Sequence, residues 1–172
     1  MIFKNFLNIK KNKIIKKDLL NLIKKQPKLF ETLKPNYKYS YSKKIISKYK
    51  KFSNIRIIGM GGSVLGTEAI YDFLKNKIKK KFTFINSLNS NADYFKDKNI
   101  NLNLIISKSG NTLETIANAS TLIKSKDSNI VITENKDSYL ADLAKKLKAE
   151  ILEHKNYVGG RYSVLSEVGM LP

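Results

Sequence analysis

Hydroxyl side chains are concentrated in one short stretch, SKSGNTLET, at residues 107–115. Ser107, Ser109, Thr112 and Thr115 all lie there, directly after the apolar run LNLII. A phosphate monoester dianion binds many hydrogen-bond donors in a small volume, and hydroxyls together with the free amides of a helix N-terminus supply them. Capping the helix that follows needs only one hydroxyl, so the surplus predicts a phosphate site.

The same stretch also carries a helix start signal. Asn111 and Glu114 have the spacing of a capping box, with Asn in place of the usual Ser or Thr, and the helix is expected to begin near Thr112. A capping Glu114 points at the backbone, so it is not expected to act as a general base.

Glycines are clustered in a second stretch, GMGGSVLG, at residues 59–66. Closely spaced glycines let the backbone approach a ligand at the start of a helix, although they also serve a tight strand-to-helix turn. The dinucleotide-binding fingerprint fails, because Val64 replaces a small residue and Asn86 stands near the expected acid. A Walker A loop fails as well, because Thr67 stands where its lysine belongs. Ligand contact and a purely structural turn both remain open.

A third stretch, YVGGRYSV at residues 157–164, delivers an arginine after two glycines. Only two of the 33 basic residues are arginines, Arg56 and Arg161. A planar guanidinium binds an oxyanion in a way that lysine does not, so Arg161 is a candidate for that role. A surface salt bridge is the alternative for Arg161, and Arg56, at the start of an apolar run, is interpreted as structural.

Short apolar runs alternate with helical segments from about residue 52 onwards. Nearly continuous β-branched runs of this kind are typical of a parallel sheet covered by helices on both faces, so the predicted class is α/β, a three-layer α/β/α sandwich. Ligands in such sheets bind beyond the carboxyl ends of the strands. The predicted strands lie at 55–60, 82–86, 102–107, 129–134 and 149–154, and the predicted helices at 64–78, 112–124 and 138–147, with a short one after 91.

The first 48 residues are rich in lysine and have aliphatic residues at helical spacing. Leu19, Leu20 and Ile23 form one stripe after Asp18, a candidate N-cap. We expect a basic helical extension whose stripe packs on the main domain, with attachment to a membrane surface as the alternative. The predicted domains are therefore 1–48, the extension, and 49–172, the main domain.

The composition limits the function classes. A net charge of +19 suggests nucleic acid, but the charge is almost all lysine, and no arginine-rich reading helix or aromatic RNA-binding strand is present. We expect no nucleic-acid partner, and a polybasic binder is the alternative. Cysteine is absent and His154 is the only histidine, so neither a metal nor a cofactor is expected. No apolar run approaches membrane-spanning length, so we expect a cytoplasmic protein without a membrane partner.

The three stretches, followed by YSVLSEVGMLP, occur in an order and at separations that resemble the glucose-6-phosphate isomerase (phosphoglucose isomerase) family. They are similar to the first of the family's two sugar isomerase (SIS) domains, over roughly residues 52–172. The resemblance implies a five-stranded parallel sheet and a site at its carboxyl edge. It implies that the substrate is bound by Gly62, Ser63, Ser107, Lys108, Ser109 and Thr112, all of which except Gly62 hold its phosphate. It also implies that Arg161 stabilises negative charge on the substrate oxygen.

The implied reaction converts glucose 6-phosphate into fructose 6-phosphate through a cis-enediol. The family's general base, ring-opening histidine and active-site lysine are expected in a later half, so the chain is expected to cover only the N-terminal half of such an enzyme. His154 does not match the family's histidine and is interpreted as a strand-end residue. The resemblance also implies a hexose 6-phosphate partner and a homodimer. The alternative is a stand-alone SIS module that senses a sugar phosphate without catalysis.

Overall fold

The computed structural model describes residues 9–28, 30–88 and 99–172. The chain divides into two compact units, one up to Tyr37 and one from Lys38. The sequence places this division later, after residue 48. In the structure the boundary lies earlier, because Tyr41, Ile45 and Tyr49 pack against the core of the second unit and so belong to it.

The first unit contains a helix, α1 (Ile9–Lys25), and a short 3-10 helix (Glu31–Leu33). The helical prediction for this region is confirmed over these residues, but the prediction of Asp18 as an N-cap is wrong. Asp18 lies in the middle of α1, because the lysines and isoleucines before it favour a helix and contain no breaker. No helix among the described residues is both long and apolar enough to span a bilayer.

The second unit is built on a five-stranded, all-parallel sheet. Its strands are β1 (Asn54–Gly59), β2 (Lys81–Ile85), β3 (Leu102–Ile106), β4 (Ser128–Thr133) and β5 (Glu150–Glu153), in the spatial order β2-β1-β3-β4-β5. The register places Ile57 opposite Phe84 on one side and Leu104 on the other. The predicted fold class and all five predicted strands are confirmed. β3 is buried along its whole length, as expected of a central strand covered on both faces.

Helices lie before, between and after the strands. They are α2 (Lys43–Tyr49), α3 (Gly62–Leu74), α4 (Leu113–Leu122), α5 (Tyr139–Lys146) and α6 (Glu167–Met170), with a second 3-10 helix at Gly160–Leu165. The three predicted helices with stated bounds are confirmed with shifted ends. The short helix predicted after residue 91 lies outside the described residues.

Two apolar clusters lie on opposite faces of the sheet, which makes the three layers. Alternate residues of a strand face opposite sides, so Ile57 joins one cluster and Ile58 the other. One cluster includes Leu104, Ile130, Val64 and Val168, and the other Ile105, Val131, Leu122 and Leu140. Burying each such side chain contributes roughly 1.5–3 kcal/mol. The packed sheet is the rigid frame from which the loops at its carboxyl edge extend.

A buried polar network lies in the same sheet, at the amino ends of the strands. The Arg56 guanidinium donates to Asn103 Oδ1 at 3.3 Å and to the Leu122 carbonyl at 3.0 Å, and it lies 3.9 Å from the Asp127 carboxylate. Asp127 also accepts from the Asn101 and Lys124 amides. The side chains of Arg56 and Asp127 are almost fully buried. The interpretation of Arg56 as structural agrees with these contacts.

Candidate functional site

Loops from four strands meet at the carboxyl edge of the sheet. Three were expected: 59–66 after β1, 107–112 after β3 and 155–163 after β5. The fourth, residues 134–138 after β4, was not predicted as part of a site. A parallel sheet brings all four to one edge because every strand runs in the same direction.

The hydroxyl-rich loop holds its own side chains in a fixed arrangement. Ser107 Oγ and Thr112 Oγ1 are 3.0 Å apart, and Ser107 Oγ also accepts from the Gly110 amide at 3.2 Å. Ser109 Oγ accepts from the Asn111 amide at 3.2 Å. Gly110 has φ +71°, a left-handed conformation that suits glycine, and a Cβ there would collide with Ser138. Ser107 is buried behind the loop, whereas Ser109 is exposed.

The helix after this loop begins without a side-chain cap. Thr112 is the N-cap of α4, but its hydroxyl makes no capping hydrogen bond. The N–H groups of the first turn are therefore not occupied by that side chain, which is the condition for anion binding at a helix N-terminus. The expected surplus of hydroxyls at this start is found, with one exception. Thr115 is fully buried in α4, and its hydroxyl has no partner among the described residues.

The predicted capping box at this helix is wrong. Asn111 lies one residue before the N-cap, and its Oδ1 accepts from the Tyr139 amide at 3.1 Å, at the start of α5. The box fails because a partner from another loop satisfies Asn111. The capping argument against Glu114 as a base therefore lapses, although Glu114 does not line the cleft described below.

The glycine-rich loop has a packing role at Gly62. A Cβ at this position would collide with the Gly160 carbonyl and lie 2.8 Å from the Arg161 amide. The start of α3 and the arginine turn are therefore in direct backbone contact. Packing alone therefore explains why a glycine is needed at position 62, without a ligand. Contact between Gly62 and the substrate stays a prediction. Ser63, the next residue, lines the cleft between the loops.

Arg161 stands at the start of the second 3-10 helix with an exposed side chain. Ser163 Oγ holds this turn by donating to the Gly160 carbonyl at 2.6 Å and to the Gly62 carbonyl at 3.2 Å. Within the described parts of the chain, no carboxylate pairs with the guanidinium. The salt bridge considered for Arg161 is therefore not formed there, and its charge is available at the edge of the sheet.

Lys108 connects the hydroxyl-rich loop with two neighbouring loops. Its Nζ donates to the Asn156 carbonyl at 2.7 Å and lies 3.7 Å from Glu134 Oε1. The loops surround a cleft of about 380 Å³. The cleft is lined by Ser63, Lys108, Ser109, Thr112, Glu134 and Lys136. Four of the predicted site residues thus share one cleft, Ser107 lies behind Thr112, and Gly62 links the cleft to the turn that carries Arg161.

Sequence reasoning missed two charged residues of this cleft, Glu134 and Lys136. Lys136 Nζ lies 2.5 Å from Glu134 Oε2, and this hydrogen bond is the main cause that lowers the pKa of the Glu134 carboxyl. The positive charges of Lys136 and Lys108 act in the same direction. The available signal was their position at or just after the end of a predicted strand, because that position places them at the ligand edge of a parallel sheet.

His154 lies at the end of β5 and is 2% exposed. Its backbone amide donates to the Thr133 carbonyl at 2.7 Å, and Nδ1 lies 3.2 Å from the Lys155 carbonyl. Nε2 has no partner among the described residues. Burial is the largest cause that lowers the pKa of His154 below its ordinary value, so the ring is neutral near pH 7.

The chain matches a known protein family over most of its length. Residues 7–172 match the family described as Phosphoglucose isomerase. A protein named glucose-6-phosphate isomerase from Borreliella afzelii (strain PKo) is 38% identical over 141 residues, which are 71% of this chain and 26% of that protein. A protein of the same name from Mesomycoplasma hyopneumoniae (strain 7448) is 36% identical over 67% of this chain and 32% of that protein. The chain thus spans about a quarter to a third of the length of these curated relatives.

Solved structures share the fold. A hypothetical protein of Thermus thermophilus superposes with a TM-score of 0.66 at 25% identity, over 75% of this chain and 34% of that one. Tagatose-6-phosphate ketose/aldose isomerase from Escherichia coli superposes with a TM-score of 0.56 at 18% identity, over 71% and 37%. The NanR protein of Vibrio vulnificus, solved with ManNAc-6P, gives 0.55 at 22% identity, over 74% and 48%. At these identities the last two support the fold alone.

Proposed function

Because the chain belongs to the phosphoglucose isomerase family, we propose that it forms the sugar-phosphate-binding part of a glucose-6-phosphate isomerase. Such an enzyme interconverts glucose 6-phosphate and fructose 6-phosphate. The observation that carries the proposal is the cleft itself, in which hydroxyls, a lysine and uncapped helix amides adjoin a turn with an arginine that has no carboxylate partner among the described residues.

In this proposal the phosphate of the substrate occupies the cleft at the start of α4. Ser63, Ser109 and Thr112 donate hydroxyl hydrogens, Lys108 supplies a positive charge, and the first-turn amides of α4 donate from the backbone. Ser107 does not line the cleft, so its role is to hold the Thr112 hydroxyl at 3.0 Å. These groups donate hydrogen bonds and transfer no proton, so the bound phosphate remains a dianion.

Arg161 is the proposed electrostatic catalyst. The reaction moves a proton between C1 and C2 through a cis-enediol, so negative charge develops on a substrate oxygen next to those carbons. A fixed guanidinium near that oxygen stabilises the charge where it forms. The contact between Gly62 and the arginine turn supports this role, because it keeps Arg161 next to the loop that carries Ser63.

The general base and the group that opens the sugar ring are proposed to come from residues outside the present sequence, in a second SIS domain. His154 is unsuited to ring opening, since it is buried and does not line the cleft. Within this proposal the 172-residue chain binds hexose 6-phosphates but does not isomerise them by itself.

Two measurements test the proposal. Calorimetric titration of this chain should show that fructose 6-phosphate binds and that fructose does not, because the phosphate supplies the charge. A coupled assay of the complete product of the same reading frame should show conversion of fructose 6-phosphate to glucose 6-phosphate. Binding without turnover in that complete product would favour the sensing module, and absence of both would reject any sugar-phosphate role.

A further inference from the structure

The loop after β4 is attached to the hydroxyl-rich loop by its backbone. The Glu134 amide donates to the Lys108 carbonyl at 3.1 Å, and the Leu140 amide donates to the Gly110 carbonyl at 2.9 Å. Gly110 also lies so close to Ser138 that a Cβ would collide with it. The backbone of this loop therefore has a fixed position relative to the proposed phosphate site.

A carboxylate in that position is unfavourable for a phosphate site. Glu134 lines the cleft with a side chain that is 15% exposed, so its charge is only partly screened by water. It would repel a dianion, and it would also compete with that dianion for Lys108, whose Nζ is 3.7 Å away. A site for phosphate esters needs some group that neutralises this carboxylate.

Lys136 is positioned to neutralise the Glu134 carboxylate. Its Nζ is 2.5 Å from Glu134 Oε2, whereas Lys108 faces the other oxygen, Oε1, at the longer distance of 3.7 Å. The Lys136 amide also donates to the Glu134 carbonyl at 2.8 Å, which closes a tight turn that keeps the two side chains together. Lys136 itself lines the cleft. With Lys136 in place, the three charged side chains of the cleft sum to one positive charge.

We propose that Lys136 is a specificity-determining residue that pairs with Glu134 more closely than Lys108 does, so that Lys108 can bind the dianionic phosphate of the substrate. The inference rests on the proposed function of the cleft and assigns a role to the loop after β4 within it. Without Lys136, the Glu134 carboxylate pairs with Lys108 and the cleft carries no net charge from these groups. Binding of a dianion then weakens.

The test compares a single and a double variant by calorimetric titration of this chain with fructose 6-phosphate. Lys136→Gln should raise the Kd by about tenfold, the effect of losing one charge-assisted interaction. Glu134→Gln in the Lys136→Gln background should bring the Kd back to within about threefold of the native value, because Lys108 is again free. A purely structural role for Lys136 would not produce this recovery.

Lys75→Gln is the matched control, since it removes the same charge from an exposed ion pair, in which Lys75 lies 3.9 Å from Asp72 on α3. Its Kd should stay within about twofold of native, because screening weakens distant surface charges. An equal Kd for Lys136→Gln and Lys75→Gln, or no recovery in the double variant, overturns the inference and leaves the proposed function standing. If the native chain binds neither fructose 6-phosphate nor inorganic phosphate, both are rejected. Circular dichroism checks that each variant folds.

Discussion

The hydroxyl of Thr112 bonds to Ser107 instead of capping its own helix, and this choice leaves the start of α4 open. Thr112→Val keeps the shape and removes the hydroxyl. We expect the Kd of the chain for fructose 6-phosphate to rise by about tenfold, because a donor to a charged group is lost. Thr121→Val is the control on the same helix, since that hydroxyl donates to the Ala117 and Asn118 carbonyls. Equal titration curves for the two variants would argue against a phosphate at this helix start.

Arg161 allows binding and catalysis to be separated at a single residue. Arg161→Lys keeps a positive charge but loses the planar guanidinium. We expect the complete enzyme to lose about 10²-fold or more in kcat, as when one preorganised donor to a developing oxyanion is removed. The Kd of this chain for fructose 6-phosphate should change by less than about threefold, because the phosphate donors are untouched. A large increase in Kd with kcat unchanged would mean that Arg161 holds the phosphate instead.

At the scale of elements, the contact between α3 and the arginine turn depends on two adjacent backbones. Gly62→Ala places a methyl group against the Gly160 carbonyl, so the turn must shift. We expect a loss of about 1–3 kcal/mol in the free energy of unfolding, the usual effect of overpacking, measured by urea denaturation. Gly160→Ala is the matched control, because nothing lies within 4 Å of a Cβ there. A loss of stability in the control alone would contradict the contact described for Gly62.

The elements themselves were predictable because their signals are local. Continuous runs such as LNLII in β3 predict a buried strand, and the apolar periodicity after each run predicts a helix that covers the sheet. The grouping of four candidate residues was predictable from strand ends, because Ser63, Lys108, Ser109 and Thr112 line one cleft, while their contact with substrate stays a prediction.

Pairings between loops were not predictable, because they depend on neighbours distant in sequence. Asn111 has the spacing of a cap, yet its partner is the Tyr139 amide, 28 residues away. Glu134 and Lys136 lack any motif of their own, and their place in the cleft follows from the position of β4 beside β3. At Asp18 a local signal fails for a local reason: the residue is a suitable N-cap, but residues on both sides of it favour a helix, so the helix continues through it.

At the scale of the whole molecule, a buried ion pair joins Arg56 in β1 to Asp127, the residue before β4. Asp127→Asn removes the negative charge that faces Arg56, and the arginine is then buried without this counter-ion. We expect a loss of about 3–5 kcal/mol in the free energy of unfolding, measured by urea denaturation. Asp142→Asn breaks only an exposed pair with Lys145 and should change stability by less than about 1 kcal/mol. Similar losses in both variants would mean that the buried pair contributes no more to stability than the exposed pair does.

The stability of the whole molecule should also depend on pH through its single histidine. Burial lowers the pKa of His154 in the folded state, while in the unfolded chain it stays near 6.5. As the pH falls below 6.5, the unfolded state takes up a proton that the folded state does not, so the free energy of unfolding decreases until the folded-state pKa is passed. Well above pH 6.5 this contribution is fully present.

The groups near the ring have opposed effects on this titration. Burial is the largest cause and lowers the pKa of His154, and Lys108 lowers it further, whereas the Lys155 carbonyl, Glu167 and Glu134 raise it. Urea denaturation at about pH 7.5 and about pH 5.5 should therefore show a lower free energy of unfolding at the acidic pH. His154→Gln should be less stable at both values but should lose most of the difference between them. This window lies above the titration of Glu134, whose lowered pKa matters only below about 4.5. An unchanged difference in the variant would mean that another group is responsible and that the pKa of His154 is the same in the folded and unfolded states.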